Sequence, residues 1–268
     1  MKERRISIYT NNTEASNETC AILKPKLESA GFFPVDGFDE QAELLICIGG
    51  DGTVLQAMHE LDFPDVPMIG INTGHLGFFQ ELYPSDIDTF IFNYSNKNYT
   101  IQTLATVKAS VLDKHDREHV FRAMNEIVIR GIHRSSTHMS LSIGGSFIER
   151  FSGDGILLST PSGSTAYNYS LGGAIVDPRL NLFQVTPLAP MNTTAYRSFT
   201  SSILLPSDLE VDIVPEPYKS RITYLITDGF ETEFMDLKKI TVEYAHTVVK
   251  MIRFSDYDFW NKVKTKFL

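Results

Sequence analysis

Leu44-Leu45-Ile46-Cys47-Ile48-Gly49-Gly50-Asp51-Gly52-Thr53 is the stretch that decides how this chain folds. Five apolar residues without alternation read as a strand buried on both faces, the mark of a parallel sheet. A helix is expected next, over residues 54–59. Three glycines between positions 49 and 52 let the backbone turn sharply. They also let a second molecule come into contact, because no Cβ stands in the way. N–H groups at the start of the helix suit a phosphate. Asp51 is out of place there unless it meets a hydroxyl or a metal, since a bare carboxylate repels phosphate. Backbone for phosphates, with an acid for the acceptor hydroxyl or Mg²⁺, points to phosphoryl transfer. Glycine used for turn geometry alone is the plainer alternative. Neither common nucleotide fingerprint, G-x-x-x-x-G-K-[ST] or a strand followed by G-x-G-x-x-G, is present.

Outward from that stretch, residues 4–9 read as a first strand. Thr13 or Asn12 caps a helix to Ala30, with Ile22, Leu23, Leu27 and Ala30 at helical spacing and Gly31 as its stop. Residues 68–71 form another strand, leading into Asn72-Thr73-Gly74-His75-Leu76-Gly77-Phe78-Phe79. Residues 84–92 read as a helix with proline in its first turn. Strands alternating with helices imply a parallel sheet with ligands at the carboxyl ends of its strands.

After Tyr99 the texture changes to short strands: 106–112, 119–122, 127–130, 138–143, 147–151, 203–205, 210–214, 222–226, 240–244 and 248–254. Gly144-Gly145 marks a hairpin. A closing helix spans 256–267, with Phe259, Trp260 and Val263 on one face. The expected fold is an α/β domain with a parallel sheet (1–100 plus 251–268) and a β-rich domain of stacked sheets or a β-sandwich (101–250).

The 268 residues can bury a sizeable core, and 43% hydrophobic with 21% charged content is that of an ordinary soluble protein. A formal net charge of −9 argues against a nucleic-acid partner. No run approaches the ~20 apolar residues of a membrane span, and no signal-like stretch follows the charged start, so a cytoplasmic protein is expected. Cys20 and Cys47 are too few for a disulfide framework or a structural zinc site. The seven histidines form no H-E-x-x-H. His115 and His119 flank a solvated hairpin tip, and His133 and His138 lie in a polar segment, so no built-in metal site is expected.

Several polar stretches do not look like plain turns. Asn125-Glu126 pairs an amide that donates and accepts with an acid that accepts, suited to a purine edge and ribose hydroxyls. Gly153-Asp154-Gly155 leads into Ser159-Thr160-Pro161-Ser162-Gly163-Ser164-Thr165-Ala166-Tyr167-Asn168-Tyr169-Ser170-Leu171-Gly172-Gly173, crowded with hydroxyls. Ser164 or Thr165 can cap a short helix carrying Tyr167 and Ser170. No G-x-S-x-G elbow is present, which argues against a serine nucleophile. Thr227-Asp228-Gly229 is either a hairpin turn or part of a site.

Together these stretches resemble the NAD kinase family, in family order over almost the whole chain. The glycine motif is shared with lipid kinases and phosphofructokinases; the segment from Asp154 to Gly173 is the specific one. The resemblance implies Mg²⁺-dependent transfer of a phosphoryl group from ATP or polyphosphate to the 2′-hydroxyl of the adenosine ribose of NAD, giving NADP. Asp51 would take or orient the hydroxyl proton, while Gly49, Gly50, Gly52 and Thr53 would hold phosphates. Asn125, Glu126, Ser162, Thr165, Ala166, Tyr167, Asn168, Tyr169 and Ser170 would line the dinucleotide site, with Asp154, Ala189 and Asp228 contributing. Phe78 and Phe79 would shape the adenosine end, and the final helix would return to the first domain. A homodimer or homotetramer is implied. One departure is Ser152, where relatives often carry a basic residue; Arg150, on the same face of an extended strand, is the expected substitute. The rival readings are a soluble lipid kinase sharing the glycine motif and a non-catalytic NAD(P) sensor. The acidic balance speaks against the first and the intact Asp51 against the second.

Overall fold

The computed structural model describes residues 3–74, 77–132, 136–194, 196–216 and 222–267. His75, Leu76 and His133, singled out above, lie outside them. The chain divides into two units, Met1–Thr103 with Val248–Leu268, and Leu104–Thr247.

The first unit opens with β1 (Arg5–Thr10) and α1 (Glu14–Ser29), whose amino terminus is capped by Thr13 accepting from the Ser16 N–H. Then come β2 (Phe33–Asp36), β3 (Leu44–Ile48), α2 (Asp51–Glu60), β4 (Met68–Ile71), β5 (Gln80–Leu82) and α3 (Ile87–Ser95), the last entered through a 3-10 turn at Pro84–Asp86. The strands run parallel in the order β2-β1-β3-β4, with β5 beside β4. Leu44, Ile46 and Ile48 of β3 pack with Leu23 and Leu27 of α1 and Phe90 of α3. Leu45 and Cys47 point to the other face and are also fully buried, so all five residues lie in the core, as a doubly covered strand requires.

Several local expectations change. Helix α2 starts at Asp51 rather than Val54, which puts the acid in its first turn. In α1, Ile22 is half-exposed and Ala30 exposed, and the buried stripe runs through Cys20, Leu23 and Leu27 instead.

The second unit contains β6 (Thr100–Leu112, shared with the first), β7 (Glu118–Ala123), β8 (Glu126–Gly131), β9 (Thr137–Ile143), β10 (Ser146–Gly153), β11 (Gly155–Ser159), the short helix α4 (Tyr167–Ser170), β12 (Leu182–Leu188), β13 (Ile203–Pro206), β14 (Glu210–Pro215), β15 (Ile222–Thr227) and β16 (Phe230–Met235). The chain closes with β17 (Lys239–Arg253) and α5 (Phe259–Phe267). One antiparallel sheet of this unit has the order β10-β9-β14-β17, and the other β13-β12-β11-β8-β15-β16. Inward residues of both, among them Ile127, Ile129, Ile156, Leu158, Phe183, Leu141, Ile213 and Val242, form a common core. An α/β unit and a β-rich stacked-sheet unit in one chain are the fold class expected.

Strand β17 is a single 15-residue element where two strands were expected; its early part pairs with β14, and Met251 near its end lies opposite Met68 of β4. Strands β2, β5, β11, β12 and β16 were not among those expected. Gln184, Thr186 and Pro187 broke the apolar pattern of β12, yet all three are buried there because Gln184 and Thr186 spend their polar groups on Ala174, Asn168 and Ser202. His138, which the sequence placed both at the start of a strand and in a polar segment, is buried on β9 with its ring stacked 4.4 Å from that of Tyr196. In α5, Phe259 and Val263 are buried but Trp260 is half-exposed. No helix among the described residues is long and apolar enough to cross a membrane.

Candidate functional site

The first unit holds the glycine-flanked acid. Gly49 sits at φ +151°, and a Cβ there would stand 2.2 Å from the Thr53 hydroxyl oxygen, so only glycine admits this turn. Gly50 is the N-cap of α2, and the space around Gly50 and Gly52 is open. The first N–H groups of an α-helix have no intrahelical acceptor and carry the positive end of its dipole. Asp51 lies among them. Its carboxylate accepts from the Phe78 N–H at 2.9 Å through Oδ2 and from the Phe79 N–H at 3.0 Å through Oδ1. The Asp51 side chain remains 29% exposed. Gly77 makes this approach possible, since a Cβ on it would stand 2.0 Å from Asp51 Oδ1.

Phe79 is buried, and the Phe78 ring lies 6.0 Å from each of the Phe259 and Phe267 rings of α5. Lys266 brings its ammonium 3.8 Å from Asp51 Oδ2 and 4.8 Å from the Phe78 ring centroid. Sequence reasoning missed Lys262 and Lys266. Their one signal was a basic pair four residues apart, alongside the apolar stripe of the last helix.

The second unit builds a different kind of site around Asn125 and Glu126. The Asp228 carboxylate accepts the backbone N–H groups of Met124 and Asn125, both at 2.7 Å, and of Glu126 at 3.2 Å. From the other side, the Thr160 N–H donates to the Asn125 carbonyl at 2.9 Å, and the Thr160 hydroxyl to the Met124 carbonyl at 2.7 Å. A Cβ on Gly163 would stand 2.1 Å from the Asn125 carbonyl oxygen, so glycine is needed for this packing. The backbone is thereby held on both sides while two side-chain atoms are left over. Asn125 Oδ1 and Glu126 Oε2 are buried without a hydrogen-bond partner among the described residues. Burial, with Asp228 adding like charge, pushes the Glu126 carboxyl up to about 8 against a hydrogen bond from the Tyr167 N–H. Buried acceptors left unpaired are costly, and a ligand bearing N–H or O–H groups would satisfy them.

The polar segment is a 3-10 turn, Ser162–Thr165, followed by α4. Neither Ser164 nor Thr165 caps that helix, contrary to expectation. The Ser164 hydroxyl is spent on the Pro161 carbonyl and the Val176 N–H, and that of Thr165 on the Ser162 carbonyl. Asn168 faces inward: fully buried, its amide reaches the Ser164 and Ala174 carbonyls and accepts from Thr186 at 2.7 Å. Its placement holds the segment and presents nothing outward. Tyr167, Tyr169 and Ser170 are exposed, and Ser162, Thr165 and Ala166 half-buried.

Asp154 is exposed, and its N–H donates to the Leu188 carbonyl at 2.8 Å, next to Ala189. Ala189 has φ +42°, a left-handed conformation costing roughly 1–2 kcal/mol for a residue with a side chain. Ser152 is buried, its N–H on the Ser198 hydroxyl. Arg150, the expected substitute, has its guanidinium paired with both oxygens of Glu216, at 2.8 and 2.5 Å.

A glycine-flanked acid opening a helix of a parallel α/β unit, in a chain that also carries an antiparallel β unit, is the arrangement expected of a phosphotransferase. Family profiles narrow the class: the ATP-NAD kinase N-terminal domain matches residues 9–99 and the C-terminal domain residues 124–254. The NAD kinase of Finegoldia magna is 38% identical over 266 residues, covering 98% of this chain and 97% of that protein. NAD kinase 1 of Oceanobacillus iheyensis is 35% identical, with 97% of each chain covered. A crystal structure of yeast NADH kinase complexed with NADH superposes with a TM-score of 0.87 at 20% identity, covering 99% of this chain and 87% of that one. The NAD kinase from Archaeoglobus fulgidus in complex with ATP gives 0.77 at 21%, covering 98% of both. The chain belongs to the ATP-NAD kinase family.

Proposed function

We propose that the protein is an NAD kinase that transfers a phosphoryl group from ATP, or polyphosphate, to the 2′-hydroxyl of the adenosine ribose of NAD, with Asp51 as the catalytic residue. The carrying observation is the placement of Asp51, held by two backbone N–H groups at the open, glycine-lined start of α2. A carboxylate fixed in direction and still accessible can orient the hydroxyl and accept its proton as the phosphoryl bond forms. The backbone of Gly50 and Gly52 serves the donor's phosphates. Asn125 and Glu126 receive N–H and O–H groups of the adenine and ribose on their unpaired acceptors. Thr165, Ala166, Tyr167 and Ser170 line the same dinucleotide, as do Asp154 and the left-handed Ala189, while Asp228 and Asn168 act by holding the segments that carry the contacts.

Mg²⁺ enters with the donor. Among the described residues no group of three or more His, Cys, Asp or Glu is placed to hold a metal. Asp51, with one N–H on each oxygen and its side chain partly exposed, can still take a hydrated ion brought by phosphates. When bound, the ion neutralises charge on the transferring group. The homodimer or homotetramer that the family resemblance implies is measured by gel filtration with light scattering. A cytoplasmic setting supplies both substrates.

The test is an assay of purified protein with NAD and Mg²⁺, ATP and polyphosphate being tried separately. Formation of NADP supports the reading. Phosphorylation of dispersed diacylglycerol instead would favour a lipid kinase, and stoichiometric NAD binding without turnover a sensor.

A further inference from the structure

Helix α5 reaches the loop that holds Asp51, and it does so with a half-buried cation. Lys262 donates to the Phe78 carbonyl at 3.3 Å and to the Gln80 carbonyl at 2.5 Å. The Phe78 carbonyl and the Phe79 N–H belong to one peptide group. That N–H is the donor to Asp51 Oδ1. An ammonium on the oxygen of a peptide draws electron density toward it and strengthens the N–H as a donor, the cooperative effect of linked hydrogen bonds. Lys262 therefore acts on Asp51 across a single rigid amide.

The surroundings keep Lys262 in place. Arg253 at the end of β17 pairs with Glu81 of β5 at 2.9 Å, both side chains being under 10% exposed. The second Glu81 oxygen accepts the Phe254 N–H at 2.7 Å, and the Arg253 Nε donates to Gln102 at 2.8 Å. Tyr257 lies 3.9 Å from the Arg253 guanidinium and 5.2 Å from the Lys262 ammonium. The Gln80 carboxamide, fully buried and without a hydrogen-bond partner among the described residues, completes the cluster. Its Oε1 and Asp51 Oδ1 lie 1.9 and 2.0 Å from the point that a Cβ on Gly77 would occupy. A buried, unpartnered acceptor this close to a carboxylate favours a nearby positive charge that keeps the loop in register.

We propose that Lys262 is a positioning residue for the phosphoryl-transfer step: by holding the Phe78–Phe79 peptide it sets the direction and hydrogen bonding of the Asp51 carboxylate. The inference rests on the NAD kinase reading. It requires that loss of the Lys262 charge lower turnover, leave NAD affinity alone, and matter only while Asp51 is a carboxylate.

The experiment compares full-length wild type, Lys262→Met, Asp51→Asn and the double variant, each checked by circular dichroism and thermal denaturation. Lys262→Met should lower kcat about tenfold with KM for NAD within about twofold, and in the Asp51→Asn background should change kcat by less than about twofold. Should Lys262→Met not fold, Lys262→Gln, which keeps an N–H donor but no charge, reads the same quantities. Wild type supplies a further reading. Burial, then Arg253, bring the Lys262 ammonium down to about 8 against Glu81 and Asp51, with Lys266 adding to the lowering. Wild-type kcat should fall as pH rises through that value, with a limb absent from Lys262→Met. Unchanged kcat in a folded Lys262 variant would overturn the proposal, as would an equal loss in the Asp51→Asn background. Absence of NADP formation by wild type with every donor would refute the kinase reading instead, a separate result.

Discussion

Asp51 and Glu126 are the carboxylates of the two proposed sites, and their surroundings are opposite. Asp51 is partly exposed at a helix amino terminus, with a backbone donor on each oxygen. Glu126 is buried, one oxygen has no partner, and its carboxyl is raised to about 8. Two acids in one chain can thus be set to different tasks by environment alone. In the proposed function the first would offer a directed carboxylate to the reacting hydroxyl, and the second a neutral or readily protonated group to the bound nucleotide. Glycine is used the same way in both places. At Gly77 and Gly163 a Cβ would collide with Asp51 and with Asn125, so each site depends on a main chain drawn tight against it.

The comparison breaks most sharply at Asp51. Asp51→Asn keeps the shape and removes the charge, so it should fold and bind NAD while kcat falls by about 10² to 10⁴, the usual scale for losing a positioned acid or base. Steady-state kinetics beside equilibrium NAD titration separate the two quantities, and near-normal turnover would reduce Asp51 to a turn residue. The converse variant is Asn125→Ala, which removes an unpaired acceptor from the binding side. NAD affinity should weaken by roughly 1–3 kcal/mol, with kcat at saturating NAD largely kept. Calorimetric affinity equal to that of wild type would take Asn125 out of the site.

Glu126 sharpens the contrast through pH. Its folded value near 8 lies above the unfolded 4.5, so the stability from the neutral carboxyl is complete below about pH 4.5 and is lost as pH rises through 8. Glu126→Gln cannot ionise. The stability of wild type relative to this variant should therefore fall between pH 5 and 9, on the order of 3 kcal/mol, in denaturant titrations. A difference independent of pH would mean that Glu126 is ionised in the fold. The smallest expected effect on stability is that of chelation: EDTA should stop turnover and leave Tm nearly unchanged, since in the proposed function the ion comes with the phosphoryl donor. A large drop in Tm would reveal a structural metal.

Much of the local structure was legible because it is written in neighbouring residues. Thr13 caps α1, and Gly144 and Gly145 take positive φ between β9 and β10, as does the Asp228-Gly229 pair between β15 and β16. The misreadings have local causes too. The apolar run into α2 hid a helix that starts at its acid, and buried polar residues kept β12 from standing out as a strand. The outward side of Trp260 could not be told from spacing alone, since it flanks Phe259 on the edge of the helix face.

The sequence by itself determined the strand-glycine-helix unit around Asp51, the change from alternating helices and strands to closely spaced strands, and the resemblance carried by the segment from Asp154 to Gly173. These depend on periodicity, backbone freedom and short spacings, which act over a few residues. Only the tertiary structure decided what those groups touch. Asp228 grips the Asn125 backbone from 103 positions away, and Lys262 reaches the Phe78 carbonyl across 184. No pattern along the chain encodes such pairs. They form when distant segments close over a common core, and the desolvated carboxylate or ammonium then takes whichever backbone group the fold brings within reach.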